Sequence, residues 1–158
     1  MAIKYHSNIR LMDNNILQIG TGGDLKLEHT GSHSNIYNTT GNLNFINYAD
    51  DSDIIFQSDD GSGGVTTYFR LDGSHTETVF SQPIRFADSE QLKFGASSDL
   101  QLYHNGSHSY IAHGGTGNLY IQQTTDDADI IFTCDDGSGG NGTYITLDGS
   151  AETVNIDK

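Results

Sequence analysis

His29 and His33, and again His104 and His108, stand four residues apart. On a helix that spacing would put two imidazoles on one face, ready for a metal ion. On a β-hairpin the two rings point to opposite faces, and a metal site then needs ligands from another chain. If several chains gather around an axis, an inward His29 or His104 meets its own copies there, and the ring nitrogens can hold a metal ion or a water.

Carboxylates are the second candidate. Asp59, Asp60 and the Gly61-Ser62-Gly63-Gly64 run, repeated as Asp135, Asp136 and Gly137-Ser138-Gly139-Gly140, combine acidic oxygens with tight glycine turns. Calcium takes six to eight oxygen ligands, which makes these loops and their neighbours Asp50-Asp51-Ser52-Asp53 and Asp126-Asp127-Ala128-Asp129 candidate calcium loops. Neither the EF-hand spacing nor the Gly-Gly-x-Gly-x-Asp repeat is present. The competing reading is a set of solvated acidic turns that keep a β-protein soluble.

Tyr103, Tyr110 and Tyr120 form the third set. Aromatic faces suit sugar rings, and the equivalent first-copy positions Glu28, Asn35 and Asn44 lack them. No catalytic constellation stands out. The recurring serines and histidines fall in turns, and the carboxylates lack the apolar setting that would tune them. A polysaccharide depolymerase would need paired carboxylates in a groove. The sequence therefore reads as a non-enzyme that requires no cofactor.

The elements that carry these residues are strands. Only 34% of the 158 residues are hydrophobic, tryptophan is absent and proline occurs once. The apolar residues fall in short alternating runs, about six per unit, bounded by Gly, Asn, Asp or Ser, and none follows a helical period. The formal charge is -14, from 21 acidic residues against 7 Lys and Arg. Such a surface repels phosphate backbones and anionic membranes, so nucleic acid is not an expected partner. No run reaches the roughly 18 apolar residues of a membrane span. The opening residues lack the apolar region of a signal peptide, which leads us to expect synthesis in a cytoplasm. On that expectation the sequons at Asn38, Asn105 and Asn141 are turn residues. The single cysteine, Cys134, excludes a disulfide within the chain.

Self-comparison organises the rest. Ile9-Arg10-Leu11 returns as Ile84-Arg85-Phe86 and Asp24-Leu25-Lys26-Leu27 as Asp99-Leu100-Gln101-Leu102, 75 residues on. Asp53-Ile54-Ile55-Phe56 returns 76 residues on as Asp129-Ile130-Ile131-Phe132, and Leu71-Asp72-Gly73-Ser74 as Leu147-Asp148-Gly149-Ser150. Glu77-Thr78-Val79 then matches Glu152-Thr153-Val154 if one residue is lost. The expected division is a leading segment over 1–8, a first unit over 9–83 and a second over 84–158.

The clearest hairpin pairs 100–104 with 107–111 around a turn at Asn105-Gly106, a dipeptide that favours tight hairpins. That pairing places Leu100, Leu102, His104, Ser107, Ser109 and Ile111 on one face and Gln101, Tyr103, His108 and Tyr110 on the other. The first face is identical in the first copy, at Leu25, Leu27, His29, Ser32, Ser34 and Ile36; nearly all the changes fall on the second. The unchanged face is therefore expected to point inward.

Leu92-Lys93-Phe94-Gly95, Asp99-Leu100-Gln101-Leu102-Tyr103-His104-Asn105-Gly106-Ser107, Gly117-Asn118-Leu119-Tyr120-Ile121 and Leu147-Asp148-Gly149-Ser150 carry a resemblance. The chain, from about Ile9 onward, resembles the repeats of phage tail-fibre and related virion structural proteins, those of marine phages above all. The resemblance implies an elongated all-β chain in an intertwined homotrimeric β-helix or β-prism fibre, located in the virion. Its implied partners are copies of itself, other virion proteins and, for a host-recognition fibre, host surface glycan. It transfers no active site.

Overall fold

The computed structural model describes residues 9–157. The expected leading segment over 1–8 lies outside the described residues. All regular structure in them is β, in twelve short strands: β1 Ile16–Ile19, β2 Leu25–His29, β3 Ser34–Asn38, β4 Ile54–Asp59, β5 Val65–Asp72, β6 Glu77–Phe80, β7 Gln91–Phe94, β8 Leu100–His104, β9 Ser109–His113, β10 Ile130–Asp135, β11 Asn141–Asp148 and β12 Thr153–Ile156. They form four antiparallel sheets of three consecutive strands each, β1-β2-β3, β4-β5-β6, β7-β8-β9 and β10-β11-β12. Two compact units divide between Ile84 and Arg85, with two sheets in each.

The two units have the same backbone. Every residue with a left-handed φ has a counterpart 75 or 76 positions away: Gly20 with Gly95, Gly31 with Gly106, Asp51 with Asp127, Gly61 with Gly137, Thr76 with Glu152. Side chains other than glycine are strained in that region. Their recurrence with a different residue, Thr in one copy and Glu in the other, shows that the turn and not the side chain sets the conformation.

That pair also corrects the sequence alignment at the end of the repeat. The β5–β6 and β11–β12 turns have equal length, because Asp72 pairs with Glu77 and Asp148 with Thr153. The offset therefore stays at 76, and the Glu-Thr-Val match obtained by dropping a residue joins positions that are not equivalent.

The hairpin expected at Asn105-Gly106 is present with its turn moved on by one residue. His104 pairs with Ser109, Asn105 N–H donates to the His108 carbonyl, and Gly106-Ser107 make the turn, with Gly106 at φ 90°. The cause is the Asn105 side chain, whose oxygen accepts from both Ser107 N–H and His108 N–H. It acts as a cap for a glycine-first turn, and Ser107 and His108 belong to the turn. Since the cross-strand register shifts by an even number, the strand residues keep their expected faces.

Each sheet has one apolar face built from rows of three cross-strand partners. The rows are Leu17-Leu27-Ile36, Phe56-Phe69-Phe80, Leu92-Leu102-Ile111 and Phe132-Ile145-Ile156. In the second row the Phe56 and Phe69 rings stack at 4.4 Å and Phe69 meets Phe80 at 5.8 Å. A bulge after Phe56, and another after Phe132, lets the long strands carry one extra residue, Tyr68 and Tyr144.

Within each unit no strand of the other sheet packs over these faces. Among the described residues no apolar side chain is buried, and the one buried polar or charged residue is Asp72. The chain exposes 13190 Å². Two compact globules, each of half this mass, would together expose about 9,300 Å². Contiguous exposed apolar faces of this kind are where proteins meet partners or aggregate.

Candidate functional site

Asp72 is the most constrained ionisable group. It ends β5, where the chain turns into β6, and its side chain is 6% exposed. Its Oδ1 accepts from the Ser74 hydroxyl at 2.7 Å, from Ser74 N–H and His75 N–H at 3.1 Å each, and lies 3.3 Å from His75 Nδ1. Its Oδ2 pairs with Arg70 Nη2 at 3.0 Å, and Arg70 Nε reaches Asp53 Oδ2 at 3.1 Å. The Ser74 hydroxyl first, then the Arg70 guanidinium, hold the Asp72 carboxyl well below the usual carboxylate range. Asp53 in turn accepts from Gly73 N–H at 3.1 Å through Oδ1. Gly73 has no room for a side chain: a Cβ there would strike the Ser52 carbonyl oxygen, as one on Gly149 would strike that of Ala128.

This cluster was not found from the sequence. Arg70 and Asp72 share a strand face by their spacing of two, a signal that is legible. Asp53 joins them only through the β4–β5 register, which the bulge displaces.

The expected calcium residues take a different part. Asp60 Oδ1 accepts from Ser62 N–H at 2.7 Å, the Ser62 hydroxyl at 2.8 Å and Gly64 N–H at 3.0 Å. Asp136 repeats this with Ser138 and Gly140, and Asp59 and Asp135 each accept from the glycine two residues on. The backbone N–H of Ser62 at Asp60, and the Ser138 hydroxyl at Asp136, lead in lowering the pKa of these carboxyls. These oxygens fold their own loops. No group of three or more His, Cys, Asp or Glu side chains is placed to hold a metal ion among the described residues.

His29 and His104 each bond a serine across their hairpin, Nδ1 to Ser34 Oγ and to Ser109 Oγ, both at 3.0 Å. Both lie on the apolar face of their sheet, beside the rows that end in Ile36 and Ile111. An open concavity in the first unit has His29, Leu17, Leu27, Ile36, Leu11 and Met12 in its lining.

Two of the three tyrosines come together. Tyr103 and Tyr110 are cross-strand partners on the polar face of their sheet, with rings stacked at 4.7 Å. The Tyr110 hydroxyl accepts from Asn105, and the His108 ring meets Tyr110 edge-on at 6.4 Å. Tyr120 lies in the segment between β9 and β10, 70% exposed, its hydroxyl accepting from Asn118 at 3.4 Å.

Comparison with known protein families, curated proteins and solved structures gave no match. The geometry therefore carries the functional reading together with the sequence pattern. It offers an exposed apolar row on each of four sheets and one aromatic patch.

Proposed function

We propose that this chain is a structural component of a phage virion, a fibre, spike or surface decoration, that folds and works as a homotrimer. One observation carries the assembly: no apolar side chain is buried among the described residues, while every sheet offers a continuous apolar face. The area exposed beyond that of two compact units is roughly 4,000 Å², the scale that obligate subunit interfaces bury. A second and third copy of the same chain supply matching rows of Leu, Ile and Phe along its length, which no small partner does. Wrapping copies together also pairs or covers the strand edges, which would otherwise invite aggregation. The phage assignment rests on the resemblance of the repeat. The protein's role is mechanical, and its acidic turns face solvent.

Sedimentation velocity of the purified chain tests this. A single species of three times the chain mass is expected, and a stable folded monomer overturns it.

The Tyr103–Tyr110 stack favours a second reading, a host-glycan contact confined to the second unit. An aromatic pair on the polar face, away from the assembly surface, is placed to meet a sugar ring.

A further inference from the structure

Two parts of the chain have the sequence of a strand and none of its hydrogen bonds. The longest connections between strands are 39–53, after β3, and 114–129, after β9. Connections of that length without structure of their own are uncommon and tend to carry a function. Within them, 42–48 and 118–124 run without turn, bend or left-handed residue, and every residue of both runs is exposed. No backbone N–H or carbonyl of either run has a hydrogen-bond partner among the described residues. Both ends of each run are nevertheless fixed. Gly41 and Gly117 lead in with φ 70° and 97°, and Asp51 and Asp127 turn the chain soon after it leaves, at 56° and 58°.

The residues follow the logic of a strand. Leu43 and Phe45 alternate with Asn42 and Asn44, as Leu119 and Ile121 do with Asn118 and Tyr120. The alternating apolar pair is kept between the copies, whereas Asn44 and Ile46 on the other side change to Tyr120 and Gln122. Leu, Phe, Ile and Tyr of this kind suit a pleated, half-buried surface, which the single chain does not give them. Neither run contains an Asp, Glu, Lys, Arg or His, in a chain whose formal charge is -14. An exposed strand is ordinarily guarded by charge, proline or a bulge against pairing with another chain. These runs carry no such guard, and copies can approach along them without like-charge repulsion.

We infer that 42–48 and 118–124 are a seventh strand of each unit, and that each takes its backbone partners from an open edge strand of a second copy of this chain. The inference rests on the homomeric assembly proposed above and adds backbone pairing to the covering of apolar faces. Each sheet ends in two strands that pair on one side only, so a second copy brings the receiving edges with it. The runs recur 76 residues apart, as β4 and β5 recur in β10 and β11. A second copy matches both runs at once, and an unrelated partner has no such period. Added head to tail onto a neighbour's edge, the runs let each copy give and receive the same contact, which closes a ring.

Hydrogen–deuterium exchange on the full chain, with sedimentation velocity on the same sample, tests this. In the assembled species about half or more of the amides in the two runs should stay protected as long as those of β5 and β11, since a strand paired on one side bonds every second N–H. An assembled species whose runs exchange as fast as unstructured chain overturns the inference and leaves the assembly standing; a stable single chain overturns both. Proline supplies a second test. Gln122→Pro and Gln123→Pro remove adjacent N–H groups that the single chain does not bond, and they leave every apolar side chain in place. One of two adjacent N–H groups points to the partner, so one variant should raise the concentration at which the assembly dissociates about tenfold or more, while Gln122→Ala and Gln123→Ala should not. Indifference to both prolines overturns the inference.

Discussion

Ile36 and Ile16 lie in the same sheet on opposite faces, and each is exposed in the single chain, at 54% and 41%. Ile36 ends the row Leu17-Leu27-Ile36 on the apolar face, whereas Ile16 pairs with Glu28 on the polar face, where the second unit has Gln91. Truncation to alanine removes the same carbons and a similar β-preference from both, so the preference largely cancels in the comparison. A residue that stays in solvent should then cost at most about 1 kcal/mol. If copies of the chain cover the apolar face, Ile36→Ala leaves a cavity in every subunit, and losses of about 2–5 kcal/mol per chain are expected. Urea denaturation followed by circular dichroism, at equal protein concentration, gives both values, and sedimentation velocity reports any loss of assembly. Equal, small effects at the two sites would refute the assignment of the apolar face to an interface.

Other outcomes follow from the turns and the patch. Gly73→Ala or Gly149→Ala should cost about 1–3 kcal/mol, because the new methyl meets a backbone carbonyl, while Gly114→Ala, which meets nothing nearby, should leave the melting temperature unchanged. Asp60, Asp72, Asp136 and Asp148 all titrate below their ordinary value of 3.8 in the folded chain. The unfolded chain therefore takes up protons first; the stability these groups give is complete above that value and is lost as pH falls below it. Urea midpoints measured from pH 7 to about pH 3 should decline mainly in the last unit, and Asp72→Asn should flatten part of that decline. Tyr103→Ala and Tyr110→Ala should each abolish any glycan-array signal without changing the sedimentation coefficient; a signal that persists in both removes the stacked pair from glycan recognition.

The β character and the faces of the β8–β9 hairpin were legible because alternation is a local property, written every second residue in Leu100, Leu102 and His104. The position of its turn was not. Asn-Gly is a strong turn signal, yet the Asn105 carboxamide gains more by accepting two N–H groups than by sitting inside the turn. The end of the repeat misled for a different reason: three matching letters outweighed a turn of constant length, and only pairing distinguishes them. The ion-paired Asp53, Arg70 and Asp72 depended on a register that a bulge shifts, and bulges leave little trace in sequence. Asp60 and Asp136 showed their acidic, glycine-rich setting in the sequence; that their Oδ1 atoms meet donors within four residues, backbone N–H groups and a serine hydroxyl, is visible only in the folded turn.

The bare apolar rows bear on how such a protein comes into being. On the assembly proposed here the chain has no folding reaction of its own, since the water-excluding interior exists only once copies have met. Refolding from denaturant would then slow steeply on dilution, and newly made chains emerging together from one message would hold a kinetic advantage over chains released singly.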